Sequence, residues 1–280
     1  MRLSFAVAFC LLLTLNVGGA FAQSSQPLDI LGVQLGMARE SAVQLLLSRQ
    51  PPYSVTNTQT LTVEDLGTSV WRVSLNSPPS GYDVIDLDFA PPPTKSTVLR
   101  IYRSVNYVTY INGAVVKKNP NAPLVDNFVA SLAEKVGSPT PTVVEKRSAN
   151  SNLFNITDYV WTRAGELLSS AEFNRQLRYP ARCLATAESN PRVLVSNQNG
   201  PVRYNFHLYF DDKNFEDICG RVLRVAWIQD GGMIRQFEMT LSGTAGVVLA
   251  FAKSAAMIDA KNGSRAQQEL ERAKQNHPQF

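Results

Sequence analysis

The sequence predicts an α+β protein of two similar halves, each a helix followed by an antiparallel β-meander, with the helices packed on the sheets. Three observations carry this expectation. Apolar residues recur at helical spacing near 38–49, 123–136 and 244–260. Between these stretches lie short segments of alternating polarity, cut by turn clusters such as SPPSG (77–81) and APPPT (90–94). The order of helix then strands also occurs twice, a repeat of pattern with little identity between its copies. The implied division is a signal at 1–22, a first half at 23–118, a second half at 119–262 and a polar tail at 263–280.

Arg2 is the one charge before Asp29, and Leu3 to Leu15 is nearly all apolar. Ala20-Phe21-Ala22 then gives a small-x-small exit before Gln23. A positive start, a short apolar run and an A-x-A site, in that order, describe a cleaved secretory signal. The run falls short of the roughly 20 residues that a bilayer span requires. The expected mature chain begins near Gln23 and is periplasmic or secreted. Cys10 follows Phe9 within the apolar run, which is the wrong place for a lipid-carrying cysteine.

The elements follow in order. Residues 29–35 form a short β-like segment. Met37, Val43, Leu46 and Leu47 then keep helical spacing until Pro51-Pro52 stops the helix. In 70–75, Trp71, Val73 and Leu75 share a face. In 83–89, Ile85, Leu87 and Phe89 share one face, with Asp86 and Asp88 on the other. In 97–105, Leu99, Ile101 and Val105 align, with Arg103 interrupting. Such alternation marks half-buried antiparallel strands.

Pro123 opens the second helix, where Leu124, Phe128 and Leu132 stand four residues apart, and Gly137-Ser138-Pro139 closes it. Strands are expected at 158–163, 202–210 and 221–228. The strand at 233–241 returns through Gln229-Asp230-Gly231-Gly232, a hairpin signal. Segment 164–200 is weakly patterned and expected as loops. The third helix is rich in Ala and Val but holds Lys253, so it is no membrane span.

The stretch LGVQLGMARESAVQLL (31–46) resembles the L-x-x-G-M-[ST]-x-x-x-V opening of small bacterial envelope modules. These are the SmpA/OmlA, or BamE-like, outer-membrane assembly lipoproteins and proteins of the β-lactamase-inhibitor-protein-like fold. LAEKVGSPTP (132–141) and DYVWTRAGE (158–166) are similar to the later L-x-x-x-x-G-x-P and W stretches of such modules. The resemblance implies helices packed on an antiparallel sheet, sometimes in tandem, and an envelope role. This chain departs from the pattern in three ways. Ala38 stands where Ser or Thr caps the helix, Val43 falls one place late, and the lipid-carrying cysteine is missing.

Charge and chemistry narrow the function. Removing Arg2 lowers the formal charge from +4 to +3, which is not the dense basic footprint of a nucleic-acid binder. Lys117-Lys118 and Lys146-Arg147 are the adjacent basic pairs, read as solvated loops or a peripheral contact with anionic membrane or glycan. There is no G-x-S-x-G, S-x-x-K, H-E-x-x-H or phosphate-binding loop. Only His207 and His277 remain to serve as a base. No catalytic residue, cofactor or metal site is expected.

Two acidic pairs are the weak candidates for a hydrolytic site: Asp86 with Asp88, about 7 Å apart along a strand, and Asp211 with Asp212. Tyr107, Tyr110 and Ile111, before Asn112-Gly113, read either as an exposed contact patch or as an edge strand. Cys183 and Cys219 read most simply as one disulfide in an oxidising compartment. Such a bridge closes a loop of about 37 residues, worth roughly 3–4 kcal/mol. Two separate thiols are the rival. The expected function is a non-catalytic binding or scaffold module acting on an envelope protein or polymer. The alternatives are an envelope hydrolase with a carboxylate-based site and an inhibitor of a secreted enzyme.

Overall fold

The alternating segments of the chain come together in one antiparallel sheet of eight strands. The structure is a computed structural model. It describes residues 28–63, 66–78, 82–111, 114–118, 121–137, 143–146, 153–162, 164–168, 195–196, 203–204 and 220–275. The expected signal at 1–22 lies outside these residues.

A two-strand hairpin of β1 (Asp29–Ile30) and β2 (Val33–Gln34) leads into α1 (Arg39–Leu47). Its turn places Leu31 at φ 57° and Gly32 at φ 83°, and the Asp29 carboxylate accepts the Gly32 N–H at 2.7 Å. A meander follows: β3 (Ser54–Val63), β4 (Gly67–Ser77), β5 (Asp83–Phe89) and β6 (Val98–Asn106). A second small hairpin, β7 (Val108–Ile111) with β8 (Ala114–Lys118), precedes α2 (Val125–Val136). Then come β9 (Val143–Lys146), β10 (Leu153–Trp161), the short pair β11 (Val195–Ser196) and β12 (Arg203–Tyr204), β13 (Arg221–Asp230), β14 (Met233–Ser242) and α3 (Thr244–Gln275). The sheet order is β3-β4-β5-β6-β14-β13-β10-β9. The seam at its centre pairs β6 with β14, from Arg100 opposite Ser242 to Asn106 opposite Gln236.

Both α1 and α2 bury their apolar stripes on the same sheet face. Ala42 and Leu46 from α1 and Leu132 and Val136 from α2 share one cluster with Leu75, Ile85, Ile101, Leu223, Val225 and Leu241. Phe128 of α2 meets Trp227 edge-on at 5.9 Å and Phe237 at 5.3 Å. Leu124 does not join this stripe. It is the exposed residue before the first turn, because the helix starts at Val125.

Two β-bulges correct the expected face assignments. Val70 pairs with Thr60 and Arg72 with Gln59, so Trp71 is an extra residue in β4. Likewise Phe89 pairs with Val98 and Asp88 with Arg100, so Leu99 is extra in β6. An extra residue resets the alternation and sends its side chain to the other face. Trp71 and Leu99 therefore leave the faces of Val73 and Ile101 and form a second cluster with Ala90, Leu61 and Ala250 of α3. Ser254 of α3 donates its hydroxyl to the Pro92 carbonyl at 2.7 Å, fixing the helix to the β5–β6 turn.

The third helix is longer than its apolar pattern. It runs 32 residues and takes in most of the polar tail expected from 263 on. Every residue from 259 to 272 is exposed. Among the described residues, no helix is long and apolar enough to cross a membrane. Of the strand expected at 202–210, the described part is Arg203–Tyr204.

Candidate functional site at the sheet edge

The edge strand β3 reads SVTNTQTLTV. β-Branched Val55, Thr56, Thr58, Thr60 and Thr62 favour extended backbone. The strand contains no charged residue, no proline and no glycine. It pairs with β4 on one side, and no described strand lies on the other. Ser54 to Thr58, Thr60 and Thr62 are exposed. Cross-strand hydroxyls hold it to β4. Thr56 Oγ1 donates to the Ser74 carbonyl at 3.1 Å, and the hydroxyls of Thr62 and Thr68 lie 2.8 Å apart.

An edge of this kind is uncommon in a stable protein, because it offers a ready template for further strands. The opposite edge, β9, is built differently. It has four residues, of which Glu145 and Lys146 are charged. Short length and charge are the usual means of blunting an edge, and β3 uses neither.

A groove runs beside β3. It encloses about 290 Å³ between α1 and the β3–β4 pair, lined by Arg39, Glu40, Val43, Gln44, Val55, Thr58, Val70 and Val73. Its walls are mainly apolar, and Val55, on the edge strand, is 45 % exposed. Val55 faces Leu75 and Thr58 faces Val73, which places both on the helix-covered face of the sheet. At the helical rim, Arg39 Nη2 meets Glu40 Oε1 at 2.5 Å. Hydrogen bonding to the backbone, and then to Arg39, holds the Glu40 carboxyl below its usual range. The pair leaves the rim without net charge.

The residues singled out from the sequence lie elsewhere. Asp86 and Asp88 share a face of β5, as expected, but they are not equivalent. Asp86 is half-buried. Asp88 is 1 % exposed and takes Arg72 Nε at 2.5 Å and Arg100 Nε at 2.7 Å. Both carboxylate oxygens are thus taken up by guanidiniums, and the group serves the packing of the sheet. Tyr107 is half-buried against Phe237, at 6.2 Å between ring centroids, and so packs on the core. Tyr110 and Ile111 belong to β7, opposite Val115 and Ala114. Asp211, Asp212, Cys183 and Cys219 lie outside the described residues, as do His207 and His277. Among the described residues, no group of three His, Cys, Asp or Glu side chains is placed to hold a metal.

A second cavity, of about 390 Å³, lies beside the β1–β2 hairpin and is lined by Arg49, Arg103, Lys135 and Asp29 among others. Its cations are engaged. Arg103 holds Asp83 through two hydrogen bonds, Arg49 donates to the Leu31 carbonyl, and Lys135 meets Asp29 at 3.2 Å.

β3 is a strand that the sequence pattern does not predict. Its one signal is β-branched content without alternation, because neither face is deeply buried. No known family profile, curated protein or solved structure matches this chain.

Proposed function

We propose that the protein is an exported, non-catalytic binding module that holds an envelope protein through the β3 edge. The observation that carries this is the ten-residue, uncharged edge strand, open along its outer side among the described residues. Export rests on the signal pattern at 1–22 and on the cysteine pair, read as a Cys183–Cys219 bridge. The tandem reading of the chain is part of the proposal. A short hairpin, a helix and four strands of the sheet occur in that order twice, as β1–β2, α1 and β3 to β6, then as β7–β8, α2 and β9, β10, β13 and β14. The likeness to BamE-like modules fits this order, but fold likeness alone does not transfer a barrel-assembly role.

Two measurements test the proposal. Mass spectrometry of the exported protein is expected to give an N-terminus at or near Gln23. A chain retaining Arg2 removes the export argument. A photo-crosslinking residue at Thr60 is expected to capture a partner in envelope extract, while one at Glu269 on the exposed part of α3 does not. The double variant T58K/T62K, made in the chain that carries the crosslinker at position 60, adds the charge that natural edges carry and is expected to abolish capture. Capture that survives this variant overturns the edge as the binding site.

A further inference from the structure

We infer that the occupant of this edge is an extended segment of another polypeptide, which adds a strand to β3 and seats an apolar side chain in the groove under α1. The inference rests on the edge reading above and names the chemistry of its partner. The outward N–H and C=O groups of a strand are matched in spacing and polarity by another extended backbone. The absence of charge along Ser54–Val63 means that no ionic pattern selects the partner, which leaves backbone pairing and side-chain fit.

The groove supplies that fit. Successive side chains of an added strand alternate between the two faces of the sheet. Those on the helix-covered face lie next to Val55 and Thr58 and point toward Val43, Val70 and Val73. A volume of about 290 Å³ accommodates a leucine or phenylalanine side chain. The Arg39–Glu40 pair at the rim offers nothing to a charged one.

A second copy of the chain is the competing occupant. Pairing β3 with its own copy meets no charge repulsion. The copy's residues on the groove face are Val55, Thr58, Thr60 and Thr62, so three of the four are hydroxylated. They leave most of the apolar wall against polar groups. A foreign strand with Leu, Val or Phe at alternate positions satisfies both the edge and the groove.

The test uses the mature full-length protein and a fluorescein-labelled, end-blocked peptide of sequence TLTLTLT. Anisotropy reports binding, and amide hydrogen exchange reports where it occurs. The peptide is expected to bind and to slow exchange in residues 54–63. The TSTSTST analogue is expected to bind at least tenfold more weakly, since burial of leucine side chains is lost. A TLTLTLT analogue with alternate amides N-methylated is expected not to bind. V43R is expected to erase the Leu-over-Ser preference while keeping protection at β3, and V55S, at an exposed position and without added charge on the edge, is expected to reduce that preference from the strand side.

Equal binding of the Ser and Leu peptides, or protection away from β3, overturns the inference. A concentration-dependent dimer in sedimentation that T60K abolishes identifies a second copy as the occupant and also overturns it. If the peptides fail while crosslinking at Thr60 remains sensitive to T58K/T62K, the edge stands as the binding site and the extended-peptide partner falls.

Discussion

Asp88 is buried between two guanidiniums, and removing it leaves Arg72 and Arg100 facing each other without the carboxylate that joins them. A broken buried pair is far costlier than one replaced by apolar groups, because a charge remains without compensation. D88A is therefore expected to lower stability by about 3–5 kcal/mol, read as a shift in urea unfolding. The triple change R72M/D88L/R100M is expected to recover most of that loss. If D88A is silent, the triad is held by solvent and not by the fold. Arg103 is the corresponding polar residue on the other face. In the sequence it interrupts an apolar row. In the structure it pairs with Asp83 and lies 5.5 Å over the Phe237 ring, so its charge is met within the core.

At the scale of elements, α1 and α2 both begin without a side-chain cap, at Ala38 and Leu124. Ala38 has the extended backbone of a capping residue, with φ −62° and ψ 143°, and is exposed. A38S is expected to add about 1 kcal/mol, since its hydroxyl can accept one of the orphan N–H groups of the first turn. Thermal unfolding checks this, and no gain means that those groups are already satisfied. Position 38 also shows what was legible. The missing cap could be read directly, and the strands β5, β6, β13 and β14 could be read from alternation because one face of each is buried. β3 could not, since exposure on both faces removes the pattern that betrays a strand. The bulges at Trp71 and Leu99 were equally hidden, because an extra residue is defined by the partner strand and not by its own sequence. The polar half of α3 shows no apolar stripe, so nothing in its sequence separates it from a polar tail. The groove between α1 and β3 is hidden in the sequence for the same reason, since β3 forms one of its walls.

The whole molecule is joined at β6 and β14, the central strands of the sheet. The main core draws Leu75, Ile85 and Ile101 from one meander and Leu223, Val225 and Leu241 from the other. Neither set is covered without the shared cluster, so calorimetry is expected to show one cooperative transition. Two resolved transitions would mean that the meanders fold independently. The same unity sets the response to alkali. Burial, reinforced at Tyr102 by the Glu238 carboxylate, pushes the phenols of Tyr102 and Tyr159 up to about 12. Burial also raises Tyr53 and Tyr107 above the ordinary value. An unfolded tyrosine ionises near pH 10. Between about pH 10 and pH 12 the unfolded chain therefore binds fewer protons than the native one, and stability falls as pH rises. Below that window these groups contribute no slope. Tyr102 lies on the α3 face of the sheet and Tyr159 in the core under α1 and α2, so both faces weaken over the same range. Urea midpoints measured from about pH 9 to pH 12 are expected to decline above pH 10. Y102F and Y159F are each expected to flatten part of the decline, and a level profile in the unsubstituted protein would show that these phenols titrate freely in the native state.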